Sequence, residues 1–243
     1  MGSYLQDGSG LLDDSSPSFV QKNLAGMYDG IASKLLSKLP TEYASIVAST
    51  VAQFSIFAFV STASLIRPLG ESARLHVTQD LADFELTLEQ FVLKSGGSLS
   101  LSQIANGKPY LELRAVRQML FWTGLDDKNK TTGDVVKSLL REVWIKDVRP
   151  STVLHYLFSF APNLLSSPHH SKRLKVEDYV VSSLVKLDGG VEDGEASAWM
   201  TTMACCDSYQ QRESAQHGVS DGDSRIPTML LALGPELLRR RRN

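Results

Sequence analysis

Apolar residues recur along this chain at helical spacings, and no run alternates in the manner of a hairpin strand. The clearest pattern is Val77, Leu81, Phe84, Leu88 and Phe91, at steps of four, three, four and three. Such steps lay one apolar stripe along a helix, here predicted over residues 71–94. Asp80, Asp83, Glu85 and Glu89 fill its other faces. Just before it stands Arg67-Pro68-Leu69-Gly70. Pro68 lacks a backbone donor and disfavours the α region at Arg67, while Gly70 tolerates angles closed to other residues. A compact joint between two helices is expected there, the helices packing antiparallel.

Further helices follow from the same pattern. Met27, Ile31, Leu35 and Leu39 share a face over 24–39, and Pro40 ends that segment. The stretch from Tyr43 to Ile66 reads as the next helix. Gly96-Gly97-Ser98 is a stop, and 98–107 a loop. Pro109 suits the first turn of a helix reaching Trp122. Residues 126–134 read as a polar surface loop, and Val135, Val136, Leu139, Leu140, Val143 and Trp144 predict a helix to Lys146. Pro150 opens a short helix to Phe160, and 176–187 and 196–211 are two more. A last helix over 228–240 is expected to break or bend at Gly234-Pro235. The fold class is all-α, with antiparallel neighbours following from short connections.

Composition narrows the function classes. The chain has 243 residues, 42% hydrophobic, 21% charged, with a formal net charge of −2. These are ordinary values for a globular chain and offer no basic stripe for nucleic acid. The two cysteines, Cys205 and Cys206, are adjacent, so no disulfide framework is expected and a reducing compartment fits. Residues 1–20 read as a disordered leader without signal-peptide features. Met1-Gly2 is followed by Gln6 where myristoylation wants serine or threonine. Residues 239–243 form a basic tail, Arg239 to Arg242 and then Asn243.

Several features invite a chemical reading. Residues 43–66 carry no charge and are long enough to span a bilayer. Ser45, Ser49 and Gln53 form a polar stripe on that helix, which favours a core helix of a soluble bundle. Four arginines at the tail could touch anionic lipid, though too weakly to anchor the chain alone. His169-His170 lack carboxylates or cysteines at ligand spacing and read as a polar turn. His155, inside the apolar run 153–160, is expected to be a hydrogen-bonded helix histidine, and His76 to face solvent. Gly70-Glu71-Ser72-Ala73 begins like a hydrolase elbow but continues with Arg74 where glycine is required. Cys205 and Cys206 share a segment with Trp199, Met203 and Tyr209, so burial is expected rather than reactivity. No catalytic, cofactor-binding or metal-ligating residue is assigned, and no enzyme activity is expected.

The Arg67-Pro68-Leu69 joint, with Leu81-Ala82-Asp83 and Glu85-Leu86 after it, resembles the subunit-five family of the conserved oligomeric Golgi complex, in its C-terminal region. Further segments agree in order: Pro109-Tyr110 through Leu113-Arg114-Ala115 to Leu120-Phe121, then 153–180, then Ser208-Tyr209-Gln210-Gln211 and Pro227-Thr228-Met229-Leu230-Leu231. The resemblance covers roughly residues 52–233. It implies stacked antiparallel helical bundles of the multisubunit tethering-complex type, over residues 21–238. It further implies a structural, non-enzymatic subunit that tethers vesicles in intra-Golgi retrograde transport. Subunit seven is the implied direct partner, with subunits six and eight in the same lobe. The implied location is the cytosolic face of the Golgi membrane, held peripherally. Family members extend far upstream with coiled-coil and helical segments, so the chain also reads as a fragment or shortened product. Two stretches depart from the family pattern, 126–146 and 188–194, as inserts or gene-model errors. The alternative is an independent membrane-associated helical protein using Tyr43, Ile66 and the residues between them with the arginine tail.

Overall fold

The computed structural model describes residues 19–95, 107–125, 129–161, 165–181, 190–215 and 225–242. The chain is all-α, and no strand occurs among the described residues. Ten α-helices follow one another there: α1 (Phe19–Lys34), α2 (Thr41–Ala63), α3 (Glu71–Lys94), α4 (Lys108–Leu120), α5 (Thr132–Arg141), α6 (Pro150–Phe158), α7 (Pro168–Ser171), α8 (Val176–Tyr179), α9 (Gly190–Ala215) and α10 (Arg225–Arg242). Short 3-10 turns at Leu36–Lys38 and Val143–Lys146 extend the series. Backbone proximity groups residues 1–57 with 71–113 in one unit, and 58–70 with 114–243 in a second.

In the first unit, α3 buries Val77, Leu81, Phe84, Leu88 and Phe91, the predicted stripe, together with Thr87 and Val92. Thr87 satisfies its hydroxyl by donating to the Asp83 carbonyl at 2.7 Å, the usual recourse of a threonine inside a helix. The close partner of α3 is α1, where Tyr28 stacks on Phe91 with centroids 4.6 Å apart. An exposed ion pair, Lys94 to Asp29 at 2.7 Å, adds little in that setting.

The buried face of α1 differs from the expected one. Tyr28 and Leu36 are buried, whereas Met27 and Leu35 are 46% and 51% exposed. The predicted face was displaced by one residue, because the aromatic ring of Tyr28 buries more area than the thioether next to it. The helix also starts earlier: Phe19 and Val20, expected in the leader, are its first residues. Residues 1–18 lie outside the described residues, as do 98–106 of the expected loop.

Between α2 and α3 the expected joint is present, with the Arg67–Pro68 peptide bond cis, but the antiparallel packing expected of α2 and α3 is not among the principal helix contacts. In the second unit, α10 packs on α5, α6 and α9, and α9 on α6 and α7. Arg225, at the start of α10, donates to the Leu125 carbonyl at 3.1 Å. Arg240, near its end, donates to the Leu140 carbonyl at 2.6 Å. The two helices therefore run side by side in the same direction.

Three boundaries depart from the sequence expectation. Helix α5 begins at Thr132, inside the expected surface loop, and gives way to a 3-10 turn from Val143. Its start is set by Thr131, whose hydroxyl accepts from the Asp134 amide at 3.2 Å and donates to the Asp134 carboxylate at 2.6 Å. Such reciprocal capping fixes a helix start that apolar periodicity does not reveal. Helix α9 begins at Gly190, so part of the 188–194 departure is helical. Helix α10 runs through Gly234-Pro235 without a break. The Trp199 ring lies over Gly234 where any Cβ would clash with it. That close packing of α9 on α10 holds the helix through the proline, whose missing donor leaves only the Leu231 carbonyl without its helical bond.

Candidate functional site

The second unit carries a buried polar network centred on the joint. Arg67 reaches back from it and donates through Nη2 to the carbonyls of Ala161 (3.1 Å) and Leu165 (2.7 Å). Ser159 Oγ donates to the Ile66 carbonyl at 3.1 Å. Together these bonds lash the segment after α6 to the joint. Deeper in, His155 lies between Tyr179, 3.1 Å from its Nε2, and Ser64, 3.5 Å from its Nδ1. Arg149 donates to Ser61 Oγ at 3.1 Å. Glu195 closes the set by accepting from the Ser151 amide at 2.6 Å and the Ser151 hydroxyl at 2.7 Å. Pro150 opens α6, so Ser151 presents one of the unpaired amides of a helix start to that carboxylate.

Burial dominates the electrostatics of this network. Burial pushes His155 down to about 3, and the Arg149 and His169 charges push the same way. Burial raises Tyr179 and Cys205. Cys206 is pushed up to about 12, by burial first and then by Cys205 and Asp207. Each shift favours the neutral form, the reverse of what activates a nucleophile or poises a base near neutrality. Cys205 and Cys206 are buried in α9 as expected, Cys205 with its sulfur 3.0 Å from Ser171 Oγ. His169 Nδ1 lies 2.6 Å from Ser167 Oγ, and the expected polar turn at 168–171 is a four-residue helix. His76 and Ser72 are exposed on α3. Among the described residues no cluster of three or more His, Cys, Asp or Glu could hold a metal ion.

Depression of His155 has a consequence for stability. The unfolded chain takes up a proton near pH 6.5, the ordinary histidine value, which the folded chain refuses until about 3. Stability is therefore full above about pH 6.5 and falls as pH drops toward 3, by about 1.4 kcal/mol per unit. Urea melts should show about 2 kcal/mol lost between about pH 7 and pH 5 through this group. His155→Gln should remove that part of the slope. Parallel pH profiles for the two proteins would contradict the assignment.

The other notable surface is on the first unit, along α2. This helix buries a narrow edge of small residues, Ala44, Ala48 and Ala52, continued by Ile56. The large apolar residues lie elsewhere: Tyr43, Ile46 and Phe54 are 60%, 59% and 45% exposed. At steps of three and eight they follow one face. The core-helix expectation is met along one edge only, from Ala44 through Ile56 to Val60. By length and composition α2 could cross a membrane, and 28% of its most apolar stretch is buried.

Comparison with known proteins supplies what the site chemistry does not. The chain is 30% identical, over 193 residues, to Conserved oligomeric Golgi complex subunit 5 of Arabidopsis thaliana. This chain is a relative of conserved oligomeric Golgi complex subunit 5. The match takes in 79% of this chain and 18% of the Arabidopsis protein. A second match, to subunit 5 of Mus musculus, is 33% identical over 119 residues, 49% of this chain and 12% of the mouse protein. The chain thus spans less than a fifth of the length of the subunit 5 proteins it matches. No family model and no solved structure matches it.

The subunit 5 relationship and the polar network bear on different questions. Arg67, Ser159 and His155 explain how the joint is held. The sequence places Arg67 at the joint but gives it no partner, and it carries no signal for Glu195. No spacing rule links Glu195 to Ser151, which is 44 residues away.

Proposed function

We propose that this chain works as a structural part of the Golgi tethering complex and not as an enzyme, presenting helical surfaces to other subunits. The observation that carries this is the similarity to subunit 5 proteins over 79% of the chain. The exposed face of Tyr43, Ile46 and Phe54 supports it, since contiguous exposed apolar side chains on a globular chain mark contact sites. Subunit seven is the expected direct partner, with subunits six and eight in the same lobe. The chain acts on the cytosolic face of the Golgi membrane, held peripherally, in the tethering of retrograde vesicles. Its mechanism makes and breaks no bond. The C-terminal placement within the subunit rests on the order of the motifs from Arg67 to Leu231.

Pull-down of the tagged chain co-expressed with subunits six, seven and eight tests the partner assignment. Tyr43→Glu, Ile46→Glu and Phe54→Glu together should reduce partner recovery at least about tenfold, because each buries a charge at the contact. Unchanged recovery would move the contact to another face. The competing reading, α2 as a bilayer span, has the length and apolarity for it. The enclosed alanine edge favours a helix packed within protein. Alkaline carbonate should therefore release the chain from membranes, and retention in the pellet would favour the span.

A further inference from the structure

Helix α3 carries a second apolar stripe on the face opposite its buried one. Leu75, Ala82, Leu86 and Leu93 follow at steps of seven, four and seven. At about 100° per residue they fall within about 40° of one another, roughly opposite Phe84. All four are exposed, the leucines by 57%, 46% and 71%. Single exposed leucines are ordinary on a protein surface. A line of them at heptad steps is the seam of a coiled coil, since such a repeat keeps one edge of the helix turned to a partner. Helix α1 occupies the other face, where Tyr28 meets Phe91. Helix α3 thus has two packing faces, and only one is filled among the described residues.

We propose that this seam docks an amphipathic helix of another protein, one whose apolar heptad positions are flanked by lysine or arginine. The charge along the edges of the seam selects that occupant. Asp83 borders the stripe on one side and Glu89 on the other, and residues 75–93 contain no lysine or arginine. Asp83 accepts from the neutral Gln79 amide at 3.2 Å. No cation pairs with Asp83 or Glu89 among the described residues, and Lys94, just past the seam, is held by Asp29 at 2.7 Å. Glu85 is engaged by the Tyr110 hydroxyl, so the net negative charge rests on Asp83 and Glu89. Charges beside a coiled-coil seam choose its partner. A second copy would bring the same carboxylates to the seam, where like charges repel. Lipid phosphates meet the same objection. Within the chain, residues 96–106 hold no charge, and 1–18 hold Asp7, Asp13 and Asp14 with no lysine or arginine. Neither flanking segment supplies the complement, so the occupant comes from another protein.

Binding of a synthetic helical peptide to the purified 243-residue chain, read by fluorescence anisotropy, tests the proposal. The peptide carries leucine at its a and d positions and lysine at e and g, which keeps it from pairing with itself. A counterpart carries glutamate at e and g. The lysine peptide should bind at least about tenfold tighter than the glutamate peptide, and salt should narrow the difference. Leu86→Gln with Leu93→Gln should weaken lysine-peptide binding on the order of a hundredfold, from about tenfold per leucine withdrawn from the seam. Asp83→Lys with Glu89→Lys should reverse the preference between the two peptides, which attraction to acidic surface at large would not do. Val143→Gln and Met200→Gln, at exposed apolar positions elsewhere, should bind like the parent. Circular dichroism of each variant should match the parent, since all these positions lie outside the core. No binding of the lysine peptide, equal binding of both peptides, or no loss in the double leucine variant would overturn the proposal. So would loss of self-association in that variant without peptide binding, because the seam would then hold a second copy. Purified chain and peptide suffice here, so this outcome is independent of the subunit pull-down.

Discussion

Phe84→Ala is expected to destabilise the first unit by about 3–5 kcal/mol, the range for truncating a large buried aromatic. Phe84 is 1% exposed and sits at the middle of the α3 stripe, between Leu81 and Leu88, both equally enclosed. Removing the ring leaves a cavity in the buried face of α3, and close-packed interiors relax only partly into such a cavity. Leu86, two positions away, is 46% exposed. Leu86→Ala should cost no more than about 0.5 kcal/mol, as for surface substitutions generally. The contrast separates burial from any general fragility of the helix. A denaturant melt in which Phe84→Ala costs under about 1 kcal/mol would place the core on another face.

Arg67→Leu should be of similar size in the second unit. Its two bonds, to the carbonyls of Ala161 and Leu165, come from a charged donor, and each contributes about 1.5–3 kcal/mol. Leucine fills much of the space but leaves both carbonyls without this partner, so a loss of about 3–5 kcal/mol is expected. Arg67→Lys should recover only part of it. Both bonds leave one nitrogen, Nη2, and the ammonium group of the shorter lysine side chain does not reach the same point. Full recovery by lysine would show that charge alone, and not the reach of Nη2, matters at this joint.

The legible parts of the fold were those set by local chemistry. The α3 stripe, the Arg67–Gly70 joint and the proline at the start of α6 each depend on residues close in sequence, and each is found where the pattern predicts. What was misread depends on partners far away. The choice between Met27 and Tyr28 as the buried edge of α1 is made by Phe91 on another helix. The continuity of α10 through Pro235 is held by Trp199 against Gly234. On α2 the enclosed edge holds three alanines with Ile56 and Val60, while Tyr43, Ile46 and Phe54 face outward. The start of α5 alone was available locally, in the Thr131 and Asp134 pair.

For the candidate site the same division holds. His155 was readable as a hydrogen-bonded helix histidine because it stands within an apolar run. Its partners Tyr179 and Ser64, and the carboxylate of Glu195 on Ser151, are brought together only by the fold. His155, Tyr179 and the two cysteines are each shifted toward the neutral form by burial. The motif order from Arg67 to Leu231 carried the family likeness, and the comparisons with subunit 5 proteins bear it out.

Size-exclusion chromatography with light scattering, on the chain alone and with subunit seven, tests the assembly reading most directly. Exposed Tyr43, Ile46 and Phe54 on α2, with Met27 on α1 and Leu35 just after it, should make the isolated chain self-associate. Addition of subunit seven should convert it to one defined heteromeric species. A monodisperse monomer near 26.7 kDa, unchanged when subunit seven is added, would contradict the assignment.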